Sequence, residues 1–183
     1  MKKVSEYDVL TAAALWLFRE GYKLIQISLP GRQVIPTLEQ RLLVEDKLKN
    51  SGVPTLGISF NSQGPDIIAE NETRIWKVEC KGLGEGKQST LRNNFDRALG
   101  SVVSYYDLED KELCLALAMP YNQDYNRHII NRVKKPLRRL LNLWILLYFT
   151  NNQLLLPFSP DSEFSDETIL DALSEAMLKA KTV

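Results

Sequence analysis

The sequence predicts an α/β fold, a mixed β-sheet with a central antiparallel hairpin and helices on both faces. Three observations carry this prediction. Segments of helical period alternate with short apolar runs along most of the chain. Two of those runs, residues 66–69 and 75–80, flank the polar stretch Glu70-Asn71-Glu72-Thr73 in a hairpin pattern. A strand–helix–strand succession follows, and such a connection favours a right-handed crossover between parallel strands.

Residues 5–20 read as a helix. Ser5 is placed to cap it, Asp8 makes an incomplete capping box, and Gly21 ends it. Its middle, 12–18, is apolar on every side, which implies burial on more than one face or at a subunit interface. Residues 22–29 follow as a strand closed by Pro30-Gly31. A second helix spans 37–50, where Thr37 and Gln40 form a capping box and Ser51-Gly52 stops it. Residues 53–60 read as a strand, and 61–65 turn the chain into the hairpin.

The hairpin makes a geometric prediction. With Asn71 and Glu72 at the tip, Ile68 faces Ile75 and Asp66 faces Lys77. Side chains alternate along a strand, so Ile75, Lys77, Glu79 and Lys81 share one face. Asp66 falls on that face, diagonal to Glu79, and diagonal neighbours lie about 7–8 Å apart. Two carboxylates at that spacing can lean onto one hard cation, which takes oxygen ligands at about 2.0–2.1 Å if it is magnesium. A slip of one residue would turn Asp66 to the other side.

The glycines of Gly82-Leu83-Gly84-Glu85-Gly86-Lys87 lack phosphate-loop spacing and read as a flexible connection. Residues 88–106 form the next helix, in which Gln88, Arg92, Phe95, Leu99, Val102 and Tyr106 make one stripe at about 100° per residue. Gln88 and Arg92 are its polar end, and burying them unpaired would cost about 1–3 kcal/mol. That end is expected to point at the polar face of the hairpin, with Arg92 as a phosphate or carboxylate partner. Residues 112–119 read as a buried strand stopped by Pro120. A helix over 123–135 has Ile130, Val133 and Leu137 as its apolar line, and Pro136 splits it. Residues 143–149 read as a buried strand, and 166–179 as a last helix.

With 183 residues, one compact domain is expected. A hydrophobic content of 44% and a charged content of 25% are ordinary for a globular protein. The formal net charge is zero, so a basic footprint for nucleic acid must be local. Between Tyr125 and Pro160 there is no acid, whereas Arg127, Arg132, Lys134, Lys135, Arg138 and Arg139 are all basic. Such a stripe neutralises phosphates and is the expected DNA contact. The acids between Asp161 and Glu175 can cover it. Cys80 and Cys114 lie in apolar runs, the pattern of reduced thiols in an intracellular, cytoplasmic protein. No secretory signal is visible, and the run 12–18 is too short to span a bilayer. Neither a membrane nor an organic cofactor is expected as a partner. The lone His128 cannot build a multi-histidine metal site or a Ser-His-Asp triad.

At Pro65-Asp66 and Glu79-Cys80-Lys81, separated by a strand–turn–strand, the chain resembles the PD-(D/E)xK nuclease superfamily. This group includes many restriction endonucleases and the archaeal Holliday-junction resolvases. The strict match covers the hairpin, and the order of elements extends it over much of the chain. The resemblance implies a restriction-endonuclease-like sheet in a single domain. Residues 1–36 would be an N-terminal addition, 37–149 the nuclease core and 150–183 an acidic C-terminal helix. It implies that Asp66 and Glu79 bind Mg2+, with Mn2+ as a substitute, and that Lys81 positions or activates the attacking water. The Cys80 carbonyl joins the metal site, Glu39 or Glu6 adds an acid from a helix N-terminus, and Gln88 supports the centre. The expected function is metal-dependent cleavage of DNA phosphodiester bonds, of restriction or junction-resolving type, by a homodimer. The alternative is a non-catalytic nucleic-acid-binding or scaffold module on the same fold, which the zero net charge favours.

Overall fold

A computed structural model describes residues 3–29, 37–84 and 88–181. Along the chain run α1 (Glu6–Arg19), β1 (Lys23–Ser28), α2 (Leu38–Asn50), β2 (Ser59–Asn61), β3 (Ile67–Glu70), β4 (Arg74–Cys80) and α3 (Gln88–Ser104). They are followed by β5 (Glu112–Pro120), α4 (Gln123–Arg132), α5 (Lys135–Leu141), β6 (Leu143–Phe149), β7 (Leu154–Phe158) and α6 (Asp166–Lys181). The strands form one mixed sheet in the order β2-β1-β3-β4-β5-β6-β7. β3 pairs antiparallel with both β1 and β4, β4, β5 and β6 run parallel, and β2 and β7 close the two edges. The α/β class is as the sequence predicts. No helix among the described residues is long and apolar enough to cross a membrane.

Burial explains the apolar helix α1. It packs across β1 and across β3 through β7, with Val9, Leu10, Ala13, Ala14 and Leu17 buried. Trp16 meets Trp76 edge-on at 5.3 Å between ring centroids. Ser5 caps the helix by accepting the Tyr7 amide, and Gly21 turns the chain out of it at φ +85°. α3 lies on the other face, where Lys77 reaches the Tyr105 carbonyl. Helices therefore cover both faces. The strand of the N-terminal segment, β1, sits inside the sheet between β2 and β3. α6 docks through Ile169, Ala172, Leu173 and Ala176.

Two expectations about elements are corrected, and one strand was missed. The strand over 53–60 shrinks to Ser59–Asn61, because Pro54 and the positive-φ Gly57 break the run and Leu56 points into solvent. β7 was not legible, since Pro157 interrupts it. The strand tolerates that proline as an edge, paired only with β6. Pro136 splits the helical stretch as expected, standing in the first turn of α5, but the buried line of α4 is Tyr125, Ile129 and Val133 rather than Ile130, Val133 and Leu137.

The chain ahead of α1 is tied to the end of β4. Val4 and Leu83 form an antiparallel bridge with hydrogen bonds of 2.9 and 2.8 Å. Gly82 makes this approach possible: a Cβ there would stand 2.6 Å from the Val4 carbonyl oxygen and 2.7 Å from the Glu6 amide. Backbone must move to admit it, so Gly82→Ala is expected to destabilise the fold by about 1–3 kcal/mol in denaturant unfolding. An unchanged midpoint would contradict the close approach.

Candidate active site

The hairpin presents the site. β3 and β4 pair Ile67 with Val78, Ile68 with Lys77 and Glu70 with Ile75. This register lies two residues from the expected one, and the tip is Glu72-Thr73. Asn71 is the cause. Its side-chain oxygen accepts the amides of Thr73 at 3.0 Å and Arg74 at 2.8 Å, and its own amide donates to the Arg74 carbonyl at 3.0 Å. The asparagine thus builds the turn itself. A shift of two keeps the parity. The same register carried one step further sets Asp66 across from Glu79, rather than diagonal to it.

Each charged group has a partner. Asp66 Oδ2 accepts the Cys80 amide at 2.6 Å. Glu79 is only 5% exposed. Its Oε1 lies 2.7 Å from Lys81 Nζ, and its Oε2 accepts the Tyr105 hydroxyl at 2.6 Å. Lys81 Nζ also lies 3.8 Å from Glu6 Oε1, and the Gly82 amide hydrogen-bonds the Glu6 carboxylate. Of the two helix-terminal acids, Glu6 is the one at the site, and Glu39 is exposed on α2. Above these groups opens a cleft of about 560 Å³, lined by Lys3, Glu6, Glu79, Lys81, Asn94 and Arg97 among others.

Burial and the Glu79 charge push the Asp66 carboxyl up to about 8, against the pull of Lys81 and the Cys80 amide. Burial likewise raises Glu6, opposed by Lys81. Burial would lower Lys81, but Glu6, Glu79 and Asp66 outweigh it and hold the amine above its ordinary value. The Tyr105 hydroxyl is raised by burial and by its bond to Glu79, so it stays a donor. Cys80 is buried on the opposite face, its thiol raised by burial, and its amide donates to Asp66. No group of three or more His, Cys, Asp or Glu among the described residues is arranged to hold a metal ion.

α3 serves the site in a different phase from the expected one. Its buried line is Leu91, Phe95, Ala98 and Val102. Arg92 is exposed beside Asp96 at 3.8 Å. With Arg127 and His128 it lines a separate cleft of about 330 Å³. The Gln88 side chain lies outside the described residues. Asn94, Arg97, Ser101 and Tyr105 face the site instead. Asn94 hydrogen-bonds Tyr125, whose hydroxyl donates to the Gly82 carbonyl at 3.1 Å, and Ser101 hydrogen-bonds Tyr105. Their spacing of three, four and four residues was the signal that could have found them.

The basic stripe is largely spoken for. Arg138, expected at DNA, is 2% exposed and donates to the carbonyls of Ser159 at 3.0 Å and Ser162 at 2.6 Å. Lys135 pairs with Glu163 at 2.5 Å and Arg139 with Asp161 at 2.7 Å, so the acids following β7 do cover the stripe. Arg132 pairs with Asp96 and lies over the Phe95 ring. Arg127 and Lys134 are exposed and form no ion pair among the described residues. No family model, curated protein or solved structure matches the chain.

The raised Asp66 carboxyl has a stability consequence. Its folded value of about 8 exceeds the unfolded carboxylate value of about 3.9. Between those limits the folded chain holds a proton that the unfolded chain has lost, so stability falls as pH rises through the window. Asp66→Asn keeps an acceptor for the Cys80 amide and cannot ionise. Without divalent metal it is expected to melt higher than the parent at about pH 8, by about 2–4 °C per kcal/mol recovered, with the gap closing near pH 4. Parallel melting curves across that range would contradict the shift.

Proposed function

We propose that this chain is a divalent-metal-dependent nuclease that hydrolyses DNA phosphodiester bonds on a restriction-endonuclease-like core. The observation that carries the reading is the convergence of Asp66, Glu79 and Lys81, with Glu6 on the same lysine. The element order supports it. α1, β1, β3, β4, α3 and β5 run helix, three antiparallel strands, helix and parallel strand. On this reading the core begins at α1, and α2 with β2 is the inserted piece.

The donors suit a hard cation. Asp66 and Glu79 offer only oxygen, and Mg2+ takes one or two carboxylates beside its waters. A buried carboxyl raised by a like-charged neighbour is a place where added positive charge is favourable. Asp66 and Glu79 would hold the ion, and Glu6 stands on the far side of Lys81. When bound, Mg2+ acidifies a water and offsets charge on the scissile phosphate. The chain supplies the rest. The Cys80 amide and the Tyr105 hydroxyl fix the two carboxylates. Lys81, kept charged by its neighbours, donates toward the attacking water or the phosphate oxygen where charge builds. Water adds to phosphorus and the bond to one sugar oxygen breaks, leaving a phosphate end and a hydroxyl end. Two copies would supply one site for each strand of a duplex.

Wild type is expected to nick supercoiled plasmid with Mg2+ or Mn2+. Lys81→Ala and Asp66→Ala should slow nicking by about 10²–10³-fold, and Tyr105→Phe by about 10–100-fold, since it only orients Glu79. Undiminished cutting by folded Lys81→Ala and Asp66→Ala would eliminate the mechanism. A wild type that binds DNA and never cuts it would favour a non-catalytic module.

A further inference from the structure

Most cations near the α3–α5 surface are spent on acids of the chain itself. Arg92 and Arg132 share Asp96, Lys135 takes Glu163 and Arg139 takes Asp161. Arg97 differs. It is exposed, it lines the cleft that holds Glu6, Glu79 and Lys81, and it forms no ion pair among the described residues. The cleft carboxylates are already bound by Lys81, Tyr105 and backbone amides. The guanidinium therefore keeps its fork of donors for a guest, and that fork matches two phosphate oxygens.

Arg97 sits one turn before Ser101 on a helix of 17 residues that is buried along the line from Leu91 to Val102, and Tyr105 follows just past its end. Lys3 lines the same cleft, from the segment pinned by the Val4–Leu83 bridge. Two cations from separate elements thus face one mouth, with the carboxylate cluster below. A cleft of about 560 Å³ is in the range that admits a nucleotide-sized group.

We propose that Arg97, assisted by Lys3, is the phosphate clamp of this cleft, gripping the nucleic-acid backbone at a phosphate next to the one held over Glu79 and Lys81. This assignment rests on the nuclease reading for its orientation, but the grip itself requires no chemistry. It places the main backbone contact at the cleft and not on the stripe from Arg127 to Arg139.

The test is fluorescence anisotropy of a fluorescein-labelled duplex oligonucleotide in EDTA, titrated at several KCl concentrations. Arg97→Ala is expected to weaken binding about 5–10-fold and to make the slope of log K against log salt shallower by about 1. Arg97→Lys should keep the slope while losing part of the affinity. Arg19→Ala, at the far end of α1, serves as the control and should match wild type. An Arg97→Ala protein with wild-type affinity and slope overturns the clamp, as does a wild type that does not bind the duplex. If Arg97→Ala loses DNA while wild type never nicks plasmid, the clamp stands and the nuclease reading falls. If wild type nicks and Arg97→Ala binds and nicks equally well, the reverse holds.

Discussion

Glu79 carries its charge within the sheet, and a buried carboxylate costs several kcal/mol unless it is paired and hydrogen-bonded. Lys81 and Tyr105 meet that demand, one on each oxygen. Much of the surrounding architecture follows from it. Glu79 and Lys81 are two residues apart, so an extended strand projects both from one face. α3 lies over that face in the phase that brings Tyr105 down to it. Lys81 in turn is held charged against its burial by Glu6, Glu79 and Asp66 together. The approach of the segment before α1 to Gly82 delivers Glu6 for that purpose.

What the sequence made legible follows from which constraints are local. Parity along a strand is local, so the shared face of Asp66 and Glu79 was readable from spacing. Register depends on the turn, and there the side chain of Asn71 decided the tip through bonds that no hydrophobic pattern encodes. The helix over α3 was evident from its period. The sequence stripe and the buried line share Phe95 and Val102, but the fold buries Leu91 and Ala98 where the stripe has Arg92 and Leu99, since a small alanine suits a close helix–sheet contact. The difference in phase turns Asn94, Arg97 and Ser101 toward the site. The position of Glu6 is not a local matter: the bridge from Val4 to Leu83, a contact between distant segments, brings it beside Lys81. β7 stayed hidden because a proline inside a strand is acceptable only at an edge, and edges are defined by topology.

Charge tells a similar story. The basic run after Tyr125 looked like a nucleic-acid surface when read alone. In the fold its members meet acids from residues 161 and 163, and Arg138 serves as a tether for the turn at 159–162. Local pairing thus neutralises much of this surface. In the cleft region the Asp66 carboxyl is raised by burial and by Glu79, and Arg97 forms no ion pair among the described residues. Perturbed ionisable groups gathered at one concavity mark a candidate functional site.

The most direct measurement is anomalous diffraction from a crystal soaked in Mn2+. The account predicts a peak at ligand distance from oxygens of both Asp66 and Glu79, with Lys81 Nζ drawn away from its 2.7 Å contact with Glu79. Full Mn2+ exposure that leaves no peak there, with Lys81 still bridging Glu79 and Glu6, would contradict it.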